Sequence, residues 1–207
     1  MAKASSDHID TRRNEIIDAC LHLYQTLGFN EITIKKIAEL TSFSRPSVYN
    51  YFQTKEEVFL AILQNEYELW IEDLVSMADA HETLSKAGFA DELARSLEDR
   101  PLLLKLLSMN HYDVESNVSD EHLVEFKRVY GRSLQTVENC LVKYFPEMSP
   151  SDRRDFTYSF FPFMFGIYAY TVVNDKQRQA MEKAEVPFEF RSIHEIIYRC
   201  VLRLLGD

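Results

Sequence analysis

Between Thr33 and Lys55 the chain gathers polar side chains of two hydrogen-bonding kinds. Arg45, Ser47 and Asn50 can meet the edge of a nucleobase: a guanidinium fork suits the O6 and N7 acceptors of guanine, and a carboxamide suits N6 and N7 of adenine. Thr33, Tyr49, Tyr51 and Lys55 carry hydroxyls or an ammonium that can meet phosphate oxygens, and Lys35 and Lys36 add cations nearby. Lys55 also stands where a helix begins, and the free backbone N–H groups there attract the same anion. Such chemistry needs a rigid frame that presents both sets to one duplex.

The frame is legible in the same stretch, TIKKIAELTSFSRPSVYNYFQTK. Thr33 can cap a short helix from Ile34 to Leu40, with Ile34, Ile37 and Ala38 sharing one face. Thr41-Ser42-Phe43 makes a turn. Ser44 caps a second short helix, and Pro46 sits early in it, where its missing N–H would have no partner. Val48 and Phe52 then point inward, leaving Ser44, Arg45, Pro46, Ser47, Tyr49, Asn50 and Tyr51 to face a partner. Two short helices joined by a tight turn are the layout with which a helix-turn-helix reads double-stranded DNA.

The order of residues resembles the DNA-binding signature of the TetR family of repressors. Thr33, Ile37, Ala38, Ser44, Tyr49, Phe52, Lys55 and Glu56 match it in order and spacing. The departures are Thr41-Ser42 where the family commonly has Ala-Gly, Phe43 for a turn Val, and Pro46-Ser47 for a frequent Gly-Thr pair. Ser adopts left-handed backbone only with strain, so the turn is expected to be less comfortable than one built on Gly. The resemblance implies a bacterial transcriptional repressor that binds a palindromic operator as a homodimer and leaves it when a small molecule binds.

Length and composition set the surroundings. A chain of 207 residues, 46% hydrophobic and 27% charged, has the makings of one large domain or two small ones. The formal charge of −10 is unevenly placed: residues 1–55 hold 7 Lys and Arg against 6 Asp and Glu, leaving 16 against 27 for the remainder. A near-neutral head with a few placed cations can bind DNA, and an acidic body is repelled by phosphate. Cys20, Cys140 and Cys200 are odd in number and widely separated, which suggests neither disulfides nor a zinc knuckle. The start, MAKASSDHIDTRR, has no apolar core of signal-peptide length, so the expected location is the cytoplasm.

Five Gly and six Pro among periodic apolar spacings predict an all-α protein of about nine helices. Residues 1–54 form a three-helix DNA-binding head, and residues 55–207 form a helical body for ligand binding and dimerisation. A helix from about Thr11 to Leu27 braces the head. Thr54 caps a long fourth helix that runs to about Met77 with no linker, so displacing it in the body must move the head. Further helices are expected near 84–97, from Pro101 through LLLKLLSMNHY, from Ser119 to the Phe145-Pro146 boundary, from Asp152 to about Val173, and from about Arg191 to Leu205. A polar connection, 174–187, is expected to contain a turn of helix.

Two segments give the body its character. Residues 156–173 carry no charge, which reaches the lower bound for a membrane span. Thr157, Ser159, Pro162, Gly166 and Thr171 interrupt the run, so burial against the body and a partner chain is the better reading, with no membrane. The last helix has an apolar stripe that includes Ile193, Ile197, Val201 and Leu204. In the TetR family the last two long helices form the homodimer bundle, which here implicates Phe161, Phe165, Ile193, Ile197, Val201 and Leu204. A pocket for a mainly apolar or aromatic effector is expected among Phe89, Met109, Tyr112, Phe126, Tyr130, Phe160, Phe163, Met164 and Tyr168, with His111 or Asn110 as polar anchors.

The alternative is a helical enzyme or ligand carrier that does not bind DNA. None of the six His has a Glu three residues before it, so the Glu-x-x-His ligands of di-iron bundles are absent. The Gly positions fit no dinucleotide fingerprint, no phosphate-cradling loop and no nucleophile elbow. His111-Tyr112-Asp113 is compact in sequence, but neighbours one and two apart on a helix point to different faces. No catalytic residue, metal or cofactor is expected.

Overall fold

The computed structural model describes residues 2–109 and 114–206, with residues 2–10 as backbone alone. Every element among them is helical. They run α1 (Ala2–Tyr24), a 3-10 turn (Phe29–Glu31), α2 (Ile34–Ala38), α3 (Arg45–Val48), α4 (Lys55–Ala80), α5 (Lys86–Glu98), α6 (Pro101–Leu107), α7 (Asp120–Tyr144), α8 (Pro150–Thr171), α9 (Asp175–Lys183) and α10 (Ile193–Leu204). The chain divides into two compact units: Met1–Asn65 with Asn110–Arg128, and Glu66–Met109 with Val129–Asp207. The first unit therefore takes in more of the chain than a cut after residue 54.

The first unit is built on the inner stripe of α1. Ile16 and Cys20 are fully buried together with Ile32, Ile37, Val48, Phe52 and Val58. Tyr24 and Phe29 meet Phe59 edge-on, with ring centroids 5.0 and 4.8 Å apart. At the start of α4, Thr54 Oγ1 accepts from the Glu57 N–H (3.1 Å), a side-chain cap for the helix start, and donates to the Asn117 carbonyl (3.0 Å). Glu57 is only 2% exposed yet bears a carboxylate. Its oxygens accept from the backbone N–H groups of Gln53 and Ser119, and Oε1 lies 3.4 Å from His122 Nδ1. These fixed donors replace the water that burial takes from the Glu57 oxygens.

The second unit encloses an aromatic core. Trp70, Tyr67, Phe89, Phe156 and Phe160 are among its fully buried side chains, and the Trp70 indole N–H donates to Ser96 Oγ at 3.1 Å. Tyr130 meets both Tyr67 and Phe161 edge-on at 5.8 Å, and Phe89 meets Phe145 edge-on at 5.5 Å. α10 packs on α5 and α8. His194 on α10 also reaches Asp91 on α5 at 2.8 Å, and Arg95 binds the same carboxylate at 2.8 Å. Hydrogen bonds and charge from Arg95 foremost, with His194 adding, hold the Asp91 carboxyl below its usual range.

Helix ends follow local chemistry. The helix expected from Asp152 begins at Pro150: Ser149 Oγ accepts from the Asp152 N–H (3.2 Å), Asp152 accepts from the Ser149 N–H (3.3 Å), and Pro takes the first turn. The polar connection holds a nine-residue helix, α9, because Asn174 and Gln177 form the same reciprocal cap. No single described helix is long and apolar enough to cross a membrane. α8 and α9 lie at 84° to each other across the break between them, and Phe156, Phe160, Phe161, Met164 and Ile167 of α8 are buried inside the unit. Burial pushes the Cys20 thiol up to about 12 and the Cys140 thiol up to about 11, and it raises Cys200 as well. These thiols stay protonated, so they are poor nucleophiles and poor metal ligands.

Candidate nucleic-acid interface

The helix-turn-helix forms by the expected logic. Thr33 Oγ1 accepts from the Lys36 N–H at 3.3 Å and starts α2, and Ile34 and Ile37 are buried beneath it. Ser44 is the extended residue before α3 and Pro46 sits in its first turn. The Ser44 hydroxyl caps no backbone group; it lies 3.1 Å from the Ser47 hydroxyl instead. The turn is not strained as expected: among described residues the only non-glycine with positive φ is Glu185. Ser42 is held from outside, because the Glu15 carboxylate on α1 accepts from both its N–H and its hydroxyl. An acceptor from a neighbouring helix thus does the work that Gly does elsewhere by conformational freedom.

With Val48 and Phe52 fully buried, α3 presents one face outward. Ser44, Arg45, Pro46 and Asn50 are exposed, while Ser47, Tyr49 and Tyr51 are half-buried beside them. Arg45 Nη2 donates to the Tyr49 hydroxyl at 2.9 Å, with the guanidinium 5.6 Å from the ring centroid. Thr33 and Lys35 are exposed, and Lys35 makes only a 4.0 Å exposed pair with Glu39. Lys36 and Lys55 are engaged elsewhere. Lys36 Nζ donates to the Glu31 carbonyl (2.8 Å), and Lys55 Nζ donates to the Phe29 carbonyl (2.8 Å) while sitting 4.1 Å from the Phe29 ring centroid. Lys55 thus fastens α4 to the 3-10 turn, a position its place in the motif does not disclose. Sequence reasoning also missed Arg12 and Arg13, whose guanidinium groups lie 5.6 and 5.5 Å from the ring centroids of Phe43 and Phe52. Their signal was an Arg pair one turn ahead of the buried stripe of α1.

Comparison with known proteins decides what this head belongs to. The family model described as Bacterial regulatory proteins, tetR family, matches residues 16–62, and the model described as Tetracyclin repressor-like, C-terminal domain, matches residues 64–194. The chain belongs to the TetR family. A stretch of 99 residues is 32% identical to the uncharacterized HTH-type transcriptional regulator YfiR of Bacillus subtilis, covering 47% of this chain and 48% of that one. Another is 29% identical over 99 residues to the HTH-type transcriptional repressor AcnR of Corynebacterium efficiens, covering 48% and 47%. The match thus spans about half the length of these curated relatives. Thermus thermophilus FadR, a TetR family transcriptional repressor solved in complex with lauroyl-CoA, superposes with a TM-score of 0.60 at 19% identity over 94% of this chain and 93% of that one. A TetR/AcrR family regulator from Thermobifida fusca gives 0.59 at 18% identity over 95% and 98%. At such identity the solved structures establish the shared fold. The relatives are transcriptional regulators, not enzymes.

In this TetR-family chain the expected effector residues differ in burial and fall in both units. Phe126 is buried in the first unit, whereas Phe89, Phe160 and Met164 are fully buried in the second. Those three fill core, because their neighbours are other side chains. Met109, Phe163 and Tyr168 are half-buried. Tyr112, with Asn110, His111 and Asp113, lies outside the described residues. Tyr130 lines a groove of about 390 Å³ shared with Leu134, Glu138, Arg154, Thr157, Tyr158, Phe161 and Pro162.

The expected dimer residues divide as well. Phe161, Ile197 and Val201 are buried in the second unit's own core, so they have no surface to lend a partner. Ile193 and Leu204 are half-buried, and Phe165 is 36% exposed. Phe165 lies on an exposed strip of α8 with Tyr158, Pro162, Gly166, Ala169 and Tyr170, of which Tyr158 is 78% exposed. Among the described residues no group of three His, Cys, Asp or Glu is arranged to hold a metal ion.

Proposed function

We propose that this chain is a ligand-responsive transcriptional regulator, acting as a repressor that grips a palindromic operator as a homodimer and releases it when a small, mainly apolar or aromatic effector binds. The observation that carries this reading is the burial of Val48 at the end of α3 and of Phe52 just beyond it, which leaves Arg45 and Asn50 exposed together. In it Arg45, Ser47 and Asn50 read base edges, and Thr33, Tyr49 and Tyr51 meet phosphate. Lys35 adds charge at the backbone, while Lys36 and Lys55 reach it only by leaving the carbonyls of Glu31 and Phe29. One short helix reads few base pairs, so two heads on half-sites a helical turn apart supply the specificity. The exposed strip of α8 is the face we assign to the partner copy. We place the working protein in the cytoplasm, where its operator is.

The aromatic groove around Tyr130 and Phe161 supports an apolar effector, with Arg154 and Glu138 available for polar ends. Because FadR of Thermus thermophilus is solved with lauroyl-CoA, a long-chain acyl-CoA is the first effector to try. The test selects bound sequences from a random duplex pool, then measures their release in gel shifts with acyl-CoA and with aromatic acids. Recovery of a palindrome that an effector releases is the expected result. An operator bound equally with every ligand would favour an activator or architectural protein, and no salt-sensitive DNA affinity would return the chain to a carrier or enzyme.

A further inference from the structure

The base-reading face carries a contact that goes beyond a sorting of residues into base and phosphate readers. Arg45 is the first residue of α3, and Tyr49 follows one helical turn later, on the same side. Arg45 Nη2 donates to the Tyr49 hydroxyl oxygen at 2.9 Å, and the guanidinium lies against the ring with its centre 5.6 Å from the centroid. Among the described residues no carboxylate pairs with Arg45, so its charge is not neutralised by the fold.

We propose that Tyr49 is the positioning residue for Arg45, setting the direction of the guanidinium fork and tying it to the DNA backbone through a single hydroxyl. This rests on the assignment of Arg45 to a base edge. An arginine at an exposed helix start has several rotatable bonds, and bidentate recognition of guanine requires its planar fork in one orientation. The Tyr ring is half-buried and turns about only two side-chain bonds, so it is the stiffer partner. A phenolic oxygen that accepts from Arg45 keeps its own proton to donate. On a duplex the acceptor for that proton is a phosphate oxygen. The hydroxyl then links phosphate and base reader in one chain, so that docking on the backbone also aims the fork.

Tyr49→Phe tests this directly, because it keeps the ring and removes only the hydroxyl. The wild type, Tyr49→Phe, Arg45→Ala and the double variant are each given the same random 30-base-pair duplex pool (roughly three helical turns), and bound sequences are counted. Thermal melting confirms that each variant is folded. The expected result is that Tyr49→Phe lowers the preference at the base pair blurred by Arg45→Ala at least threefold, leaves preferences elsewhere in place, and adds no further loss at that base pair in the Arg45→Ala background. A uniform weakening over all sequences with preferences intact would make Tyr49 a phosphate contact only and overturn the proposal, as would no change at all. If Arg45→Ala itself blurs no position, the base-reading assignment fails, and the positioning role fails with it.

Discussion

At the scale of single residues, the proposed reading gives Arg45 and Lys55 different parts, base reader and anchor. Arg45 is exposed, is paired with no carboxylate among the described residues, and stands at the start of α3, whereas Lys55 is committed to the Phe29 carbonyl and ring. Arg45→Ala is therefore expected to cost about 1–3 kcal/mol on the preferred operator and much less on sequences altered at the base pair it reads. Competition gel shifts against single-base variants check this, and equal loss on every sequence would assign Arg45 to phosphate. The Glu15 carboxylate beneath Ser42 belongs to the same scale. The motif alone suggests a strained turn, because nothing in its spacing shows that a side chain on α1 reaches across 27 residues to satisfy it.

At the scale of elements, two carboxylates on α4 behave in opposite ways. Glu57 is buried but answered by the N–H groups of Gln53 and Ser119. Glu57→Ala leaves those donors facing an apolar gap, and urea unfolding should show a loss of about 2–4 kcal/mol. A change below half a kilocalorie would mean that water replaces the carboxylate. The spacing of Thr54 and Glu57 is that of a capping box, but it does not disclose the Ser119 N–H that Glu57 meets. Glu66 is the contrary case. Burial pushes its carboxyl above the usual range, although Arg100 and the Leu103 backbone N–H pull it down. A group whose folded pKa is raised contributes stability that is present below its unfolded value and lost as pH rises through the folded one. Glu66→Gln should therefore raise the melting temperature at pH 7 and lose that advantage as the pH falls below the ordinary glutamate value. A gain that is the same at both ends would point to packing and not to charge.

For the whole molecule, α8, which carries most of the uncharged run, decides most. Its buried residues, Phe156, Phe160, Phe161, Met164 and Ile167, complete the second unit's core, and its other side leaves Tyr158, Pro162, Phe165, Gly166 and Ala169 at the surface. If this side meets a partner copy as proposed, Phe165→Arg places an uncompensated charge in that contact. Analytical ultracentrifugation should then show dimer association weakened at least about tenfold, and operator affinity should fall in step. An unchanged dimer would move the interface off α8. An Ile197→Arg variant, by contrast, should fail to fold, because that position is fully buried within one copy.

What the sequence by itself determined is whatever depends on neighbours in the chain. Caps at Thr33, Thr54 and Ser149, proline in the first turn of α3 and α8 and the helical period all act over one or two turns, and from them the all-α fold and the exposed polar face of α3 follow. What only the tertiary structure decided depends on which faces meet. Apolar periodicity gives Phe161, Phe165, Ile197 and Val201 one chemical character, so it cannot tell a core side chain from one left for a partner. Aromatic content likewise does not distinguish Phe89, packed solid, from Tyr130, open to a groove. Long-range acceptors such as Glu15 and Glu57 are invisible for the same reason: a carboxylate on a helix surface looks solvated until another segment's N–H groups are brought to it.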